Sequence, residues 1–251
     1  PPPPPPTPPR RTHPHIPPPD GGMLLPRRAQ EIVDLAERTA QELQPGEEIA
    51  GKISIGSGDL RSMSFLAELM GAFQRTYPQV RYELYSGDSD GIKERIERGL
   101  LDLGLLLEPV EVSRYEILRL PVRERWGVFV REDSPLAARE RVTPEDLVNV
   151  PLIFSARERM QQEIVRWFGP WAEQIRLAAS GNLPYNLTQL CRQGMGVFLS
   201  IELDQSCPGV RFVPLSPALE SGTVLAWKKT ETFSPATDAF LLFAQKYVNR
   251  M

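Results

Sequence analysis

From residue 47 onward, strand-like and helix-like patterns alternate along the chain. In GKISIGSGD at 51–59, Ile53 and Ile55 point to one side of a strand, and the small polar residues that follow suit the start of a helix. A helical stripe comes next, followed by a second strand that begins with Val80, Tyr82 and Leu84. The stripe comprises Leu60, Met63, Leu66, Leu69, Met70, Phe73 and Tyr77. This alternation predicts an α/β fold of parallel strands joined by crossover helices.

A further helical pattern, GMLLPRRAQEIVDLAERTAQEL at 22–43, precedes the first strand. Its apolar residues recur at spacings of three and four, so they share one face of a helix, and such a face needs a partner. They are Leu25, Ala29, Ile32, Val33, Ala36, Ala40 and Leu43. A helix that leads into the first strand of an α/β domain predicts a connector entering a sensor domain.

Composition excludes several classes of protein. With 41% hydrophobic residues among 251, the chain is long enough for two small lobes or one large domain. The net charge of −3 gives no electrostatic reason to expect nucleic acid as the main partner. No stretch approaches the roughly 20 apolar residues of a membrane span, and no signal-peptide h-region is present. The sequence therefore predicts a cytoplasmic protein with no membrane partner.

The distribution of histidines argues against an enzyme. His13 and His15 both lie in the proline-rich start, so the folded body has no histidine to act as general base or metal ligand. There is no GxSxG, P-loop or HExxH motif, and GSGD at 56–59 lacks the spacing of a dinucleotide fingerprint. We expect no catalytic residues, no metal and no cofactor. An enzyme of similar architecture would have to use carboxylates or lysines instead.

Residues 1–22 contain 12 of the 26 prolines and one aliphatic residue, Ile16. Such a segment cannot form a core and is predicted to be disordered or polyproline II. A ligand for an SH3-like or WW-like domain is the alternative interpretation.

Small polar residues fill the predicted strand-to-helix turns, which lie at 57–59, 86–89, 155–157 and 181–186. In open parallel sheets such turns meet at the carboxyl ends of the strands, where free backbone N–H groups bind ligands. We expect a small polar or anionic ligand there, with Arg157 as the best candidate for carboxylate recognition. Asp59 and Asp88 would either repel an anion or bind the amine of an amphoteric ligand. Alternatively, Arg157 forms an exposed salt bridge with Glu158 or Glu163. The polar residues could also be plain helix N-caps, namely Ser57, Asp59, Ser89 and Asn182.

The order of these elements resembles the LysR-type bacterial transcriptional regulators, in their linker helix and effector-binding domain, over about residues 23–251. Its further landmarks are GLLDLGLL at 99–106, WGVFVREDSPLA at 126–137, EDLVNVPLI at 145–153 and NLPYNLTQLCRQGMGVFLS at 182–200.

The resemblance implies two Rossmann-like lobes joined by two crossing strands, a type 2 periplasmic-binding-protein-like fold, preceded by a linker helix. The crossing strands would lie at Trp126–Val130 and at Val224–Trp227. The implied organisation is a disordered segment at 1–22, a linker helix at 23–45, lobe I at 48–130 and 228–251, and lobe II at 131–227.

The resemblance also implies a small-molecule effector, a homodimer or tetramer, and DNA binding only through a winged helix-turn-helix. No such helical pattern lies upstream of Asp20, so we expect a shifted reading frame or a wrongly assigned start there. Effector contacts would come from Ser57, Asp59, Ser86, Ser89, Ser155, Arg157, Asn182 and Asn186. Peroxide-sensing relatives use a cysteine pair, so Cys191 and Cys207 are either plain reduced thiols or a redox switch. A solute-binding protein of the same fold remains the alternative function.

Overall fold

The computed structural model describes residues 49–155, 158–204 and 207–250, together with three helical positions at Ala29, Ile32 and Val33. For Ser155 and residues 158–162 it describes the backbone alone. Most of the predicted linker helix, the proline-rich start and Arg157 lie outside the described residues. Among the helices described, none is both long and apolar enough to cross a membrane.

Nine strands and five α-helices form the described fold. The strands are β1 (Gly51–Ser57), β2 (Val80–Ser86), β3 (Leu103–Leu107), β4 (Tyr115–Arg131), β5 (Pro151–Ser155), β6 (Arg176–Gly181), β7 (Val197–Ile201), β8 (Val210–Pro214) and β9 (Glu220–Lys228). The helices are α1 (Ser62–Thr76), α2 (Ser89–Glu97), α3 (Glu158–Phe168), α4 (Pro184–Arg192) and α5 (Pro235–Val248). The strands lie in the order β2-β1-β3-β9-β4-β7-β5-β6, and β8 pairs with β4.

The first half of the sheet is built on β1, which pairs in parallel with β2 and β3. Helix α2 crosses this region, and its Ile92 is almost fully buried. A Cβ atom at Gly56 or at Gly104 would lie 2.8 Å from the Ile92 side chain. Glycine in β1 and β3 therefore lets α2 pack closely on the sheet.

Helices α1 and α5 cover the other face of these strands. Phe73 of α1 and Phe240 of α5 are both fully buried, and their rings meet edge to face at 5.2 Å. Helix α5 begins where the Ser-Pro pair predicts, because the Ser234 hydroxyl accepts a hydrogen bond from the Thr237 N–H at 3.2 Å. The apolar stripe predicted for the first helix thus forms one side of this core.

The second half is centred on β5, which pairs in parallel with β6 and β7. Leu152 is fully buried, and Leu199 and Phe168 of α3 are almost so, within the same apolar cluster. The predicted parallel strands are therefore present in both halves, and the remaining pairs with β4, β8 and β9 are antiparallel.

Strand β4 joins the two halves. Its residues 115–119 and 123–125 pair with β9, and residues 126–131 pair with β7 and β8. The return was predicted at Val224–Trp227, but residues 223–226 pair with β3 in the first half. The chain returns to the first half just before β9, at Leu219, whose carbonyl accepts a hydrogen bond from the Trp126 N–H at 2.9 Å. The return prediction was wrong because β9 is a continuous buried strand whose sequence does not mark the change of lobe. The domain limits themselves stay predictions.

Candidate functional site

A cleft lies where the parallel strands of both halves end. Ser57 and Ser86, the last residues of β1 and β2, are register partners, and the Gly87 N–H donates to the Ser57 carbonyl at 3.1 Å. In the second half, Ser155 and Gly181 end β5 and β6 as register partners. The carboxyl ends of parallel strands meet at one edge, so both halves direct their turns into the cleft.

Two cavities open from this cleft and share the turn at 57–60 together with Ser86. The smaller, of about 90 Å³, continues to Trp126 and Gly181. The larger, of about 450 Å³, extends along α4 to Cys207. Only the larger cavity falls within the roughly 300–1,000 Å³ that is typical of small-molecule sites.

Four of the eight predicted contact residues line these cavities: Ser57, Asp59, Ser86 and Asn182. Ser155 lies at the cleft by its backbone, and Arg157 lies outside the described residues. Ser89 and Asn186 are absent from both linings. Their roles as effector contacts stay predictions.

The alternative interpretation, that four of these residues are helix N-caps, is wrong. The Ser57 hydroxyl donates to the Gly58 carbonyl at 2.7 Å, and α1 has no side-chain cap at its N-cap position. Helix α2 is capped by Asp88, whose carboxylate accepts from the Gly91 N–H at 2.8 Å, and not by Ser89. Helix α4 follows Leu183 without a side-chain cap. The polar residues of the turns at Asp59 and Asn182 thus have no capping role.

One side of α4 was missed as part of the site. It contributes Tyr185, Thr188, Gln189 and Arg192 to the larger cavity. Their spacing of three, four and seven from Tyr185 is the available sequence signal, since such residues share one side of a helix. Leu187 and Cys191, both buried, anchor the helix to the second half.

A buried carboxylate occupies the N-terminus of α1. Glu124, which is fully buried in β4, accepts hydrogen bonds from the N–H groups of Ser62 at 2.9 Å and Arg61 at 3.2 Å. These N–H groups are the ones that a helix start leaves unpaired. We expected such groups to be available to an anionic ligand, and at this helix an internal side chain takes them instead.

The Arg61 side chain reaches from the first half to the second. Its Nε donates to Asp204 at 2.8 Å, and its Nη1 donates to Glu202 at 2.9 Å. Glu202 also accepts two hydrogen bonds from Arg125, one from Nε at 3.1 Å and one from Nη2 at 2.9 Å. Burial lowers the pKa of Arg61, but the hydrogen bond to Asp204 and the surrounding carboxylates outweigh it and raise the pKa overall. Arg61 therefore stays charged and engaged at the edge of the larger cavity.

The two cysteines lie in one apolar cluster but differ in environment. Cys191 is buried and its thiol donates to the Phe129 carbonyl at 3.1 Å, whereas Cys207 is half-buried and lines the larger cavity. Burial raises the pKa of the Cys191 thiol. Within the described residues, no group of three or more His, Cys, Asp or Glu side chains could hold a metal ion. The redox hypothesis stays open.

Comparison with known proteins matches residues 46–249 to the family described as LysR substrate binding domain. A relative, the uncharacterized HTH-type transcriptional regulator YvbU of Bacillus subtilis (strain 168), is 24% identical over 200 residues. That alignment covers 74% of this chain and 65% of the relative. The chain thus spans less than two thirds of this relative's length.

Two solved structures show the same fold. The effector binding domain of QuiR in complex with shikimate has a TM-score of 0.72 at 19% identity, covering 80% of this chain and 98% of that one. The regulatory domain of Synechocystis PCC6803 CcmR in complex with 2-PG has a TM-score of 0.65 at 17% identity, covering 80% and 99%. The predicted periplasmic-binding-protein-like fold with two lobes is confirmed.

Proposed function

The chain belongs to the LysR substrate-binding-domain family, and from this premise we propose that it is the effector-sensing part of a transcriptional regulator. The effector is a small polar metabolite bound in the cleft between the two lobes. Control of transcription and DNA binding belong to the proposed whole regulator, in keeping with the HTH-type relative.

The larger cavity is the observation that carries this proposal. It lies between the strand-end turns of the first half and α4 of the second, so a ligand inside it contacts both lobes. QuiR and CcmR, which share the fold, were solved with shikimate and 2-PG, and small polar metabolites of that size suit a cavity of about 450 Å³. The predicted contacts Ser57, Asp59 and Ser86 lie on its wall.

Contact with both lobes gives the ligand a means of control. A ligand that binds one lobe arrangement more tightly shifts the population toward that arrangement. The single long strand β4, which runs through both halves, carries the change in lobe angle between them. A partner subunit that contacts both lobes then responds to the ligand.

We also propose a homo-oligomer. The edge strands β2 and β6 lie at opposite ends of the sheet order, and β6 exposes Leu177 at a position outside both cavities. Apolar side chains on unpaired edge strands support pairing with another copy, and a two-fold arrangement would place β2 of one subunit beside β6 of its partner.

A binding role rather than catalysis fits the cavity lining. The lining combines small and apolar side chains with two tyrosines and four charged residues. Among the described residues it contains no histidine, and the two histidines of the chain, His13 and His15, belong to the proline-rich start. A cytoplasmic location is part of the same proposal, because a transcriptional regulator works beside DNA.

Native mass spectrometry of the purified chain tests the proposal, followed by release and identification of any bound molecule. We expect a dimer that carries a small unaltered metabolite. Ser86→Trp would fill the cleft mouth and should abolish the bound mass, whereas Ser113→Trp, at an exposed position outside both cavities, should retain it. Equal binding by both variants, or a chemically converted ligand, would overturn the effector-sensing role.

A further inference from the structure

The larger cavity has four charged residues in its lining: Asp59, Arg61, Arg192 and Asp204. Two are acidic and two are basic, so the lining carries no net charge. A site built for a simple anion is expected to present an excess of positive charge. The balance of charge in this cavity therefore indicates a different class of ligand.

Two of the four charges are already paired with each other. Arg61 holds Asp204 at 2.8 Å and Glu202 at 2.9 Å, and Glu202 is shared with Arg125. The N–H groups at the start of α1 are bound by Glu124. A ligand carboxylate at the Arg61 guanidinium would meet the charges of Asp204 and Glu202 beside it, and at this helix start it would have to displace Glu124.

Asp59 and Arg192 remain as the uncommitted charges. Both are exposed, and no hydrogen bond or ion pair joins either side chain to another part of the chain that the structure describes. Asp59 belongs to the turn after β1 in the first lobe, and Arg192 ends α4 in the second. The cavity thus has one free negative group and one free positive group on opposite lobes.

Each of these two charges disfavours ligands that carry only a charge of the same sign. A ligand with only a carboxylate can pair with Arg192 but is repelled by Asp59. A ligand with only an amine can pair with Asp59 but is repelled by Arg192. A ligand that carries both groups satisfies both walls. The Arg192 guanidinium can hold two carboxylate oxygens, and Asp59 can accept from an ammonium group.

We propose that the effector is an amphoteric molecule, an amino acid or a close amino-carboxylate. Its carboxylate lies at Arg192 and its ammonium group at Asp59. The apolar side chains of Met63, Leu84 and Leu203 and the ring of Tyr185 line the space that its body fills. This assignment rests on the proposed effector-sensing function and names the ligand class for the same cavity. It also gives the ligand a bridging role, because its two charged ends are bound by different lobes.

Thermal shift and calorimetric titration test the assignment with a matched panel. The panel is the twenty protein amino acids, each with its deaminated carboxylic acid and its decarboxylated amine, and with shikimate as a carboxylate-only reference. We expect at least one amino acid to bind, and its acid and amine counterparts to bind at least about tenfold more weakly.

Charge-removing variants give a crossed pattern that a nonspecific effect would not produce. Asp59→Asn should weaken the amino acid at least about tenfold and leave the acid unchanged or tighter, since repulsion is removed. Arg192→Gln should weaken the amino acid and leave the amine unchanged or tighter. Asp90→Asn and Arg176→Gln, which change exposed residues outside the cavity, are the matched controls and should bind as the parent does.

The assignment is overturned if no amino acid of the panel binds, or if a deaminated acid binds as tightly as its parent. Binding of shikimate or another plain acid that is lost on Arg192→Gln alone would leave the effector-sensing function intact and refute only the amphoteric class. Conversely, an amino acid that binds with both charges required, but is chemically converted, would support the ligand class and refute the sensing role.

Discussion

The carboxylate of Glu124, fully buried in β4, accepts a hydrogen bond from the backbone N–H of Ser62 at 2.9 Å. It thereby caps the N-terminus of α1, which lies 62 residues earlier in the chain. The same carboxylate takes the Arg61 N–H. One side chain thereby fixes the start of α1, and hence the turn at 57–60 that lines both cavities, to the strand that joins the two lobes.

Removal of that carboxylate should destabilise the protein. Glu124→Ala leaves the buried N–H of Ser62 and the part-buried N–H of Arg61 without their partner, and we expect a loss of about 2–4 kcal/mol in the free energy of unfolding. Urea unfolding measures it. Glu116→Ala, which removes an exposed carboxylate of the same strand, should change stability by less than about 0.5 kcal/mol. Similar losses in the two variants would contradict the capping role.

Two glycines should respond in opposite directions to alanine. A Cβ at Gly127 would lie 2.5 Å from the Val213 carbonyl oxygen and against the Phe212 ring, so Gly127→Ala should cost about 2 kcal/mol or more. At Gly71, inside α1, the nearest atom would be 3.8 Å away, and Gly71→Ala should stabilise by about 0.5–1 kcal/mol. Thermal unfolding of the pair distinguishes these signs, and a stabilised Gly127→Ala variant would refute the close packing.

The proposed oligomer should depend on the exposed edge strand β6. Leu177 is 55% exposed, and Leu177→Glu should weaken self-association more than about tenfold because a charge enters an apolar contact. Leu242→Glu is the matched control, since Leu242 on α5 is 58% exposed. Analytical ultracentrifugation measures both. If Leu242→Glu dissociates the oligomer and Leu177→Glu does not, the edge strands are not the interface.

The two thiols should differ in reactivity toward iodoacetamide at pH 8. Burial raises the pKa of Cys191, and a raised thiol pKa means less thiolate at a given pH, so alkylation is slowed below that pKa. Burial also limits access, whereas Cys207 is half-buried at the cavity. We expect Cys207 to react at least about tenfold faster, as followed by mass spectrometry.

Mild peroxide extends the same measurement to the redox hypothesis. If both thiols can still be alkylated after the peroxide treatment, the cysteines are plain reduced thiols. Concerted loss of Cys191 and Cys207, reversed by a reductant, would establish a switch instead.

Part of the site followed from strand ends alone. Ser57 and Ser86 were predicted because each ends a strand, and parallel strands that pair in register bring their carboxyl ends together. Asn182 followed from the same rule in the second half. Ser89 and Asn186 failed to reach the cavities because the rule locates a turn but not the direction in which each helix leaves it.

The charged part of the site could not be predicted in this way. Arg61 pairs with Glu202 and Asp204, which lie 141 and 143 residues away. Local sequence at Arg61 shows only a basic residue near a helix start, where an exposed side chain is expected. Its partners are fixed by how the two lobes meet.

The sequence by itself determined the alternation of strands and helices, the family-type order of elements and the ends of the strands, because side-chain periodicity and turn chemistry act over a few residues. Only the tertiary structure decided which charged side chains are paired inside the protein and which face the cavity without a partner in the described part of the chain. Glu124 and Arg61 become internally paired, while Asp59 and Arg192 face a common cavity. The physical reason is that electrostatic pairing depends on distance in space, and residues far apart in the chain come within a few ångströms only after both lobes have packed.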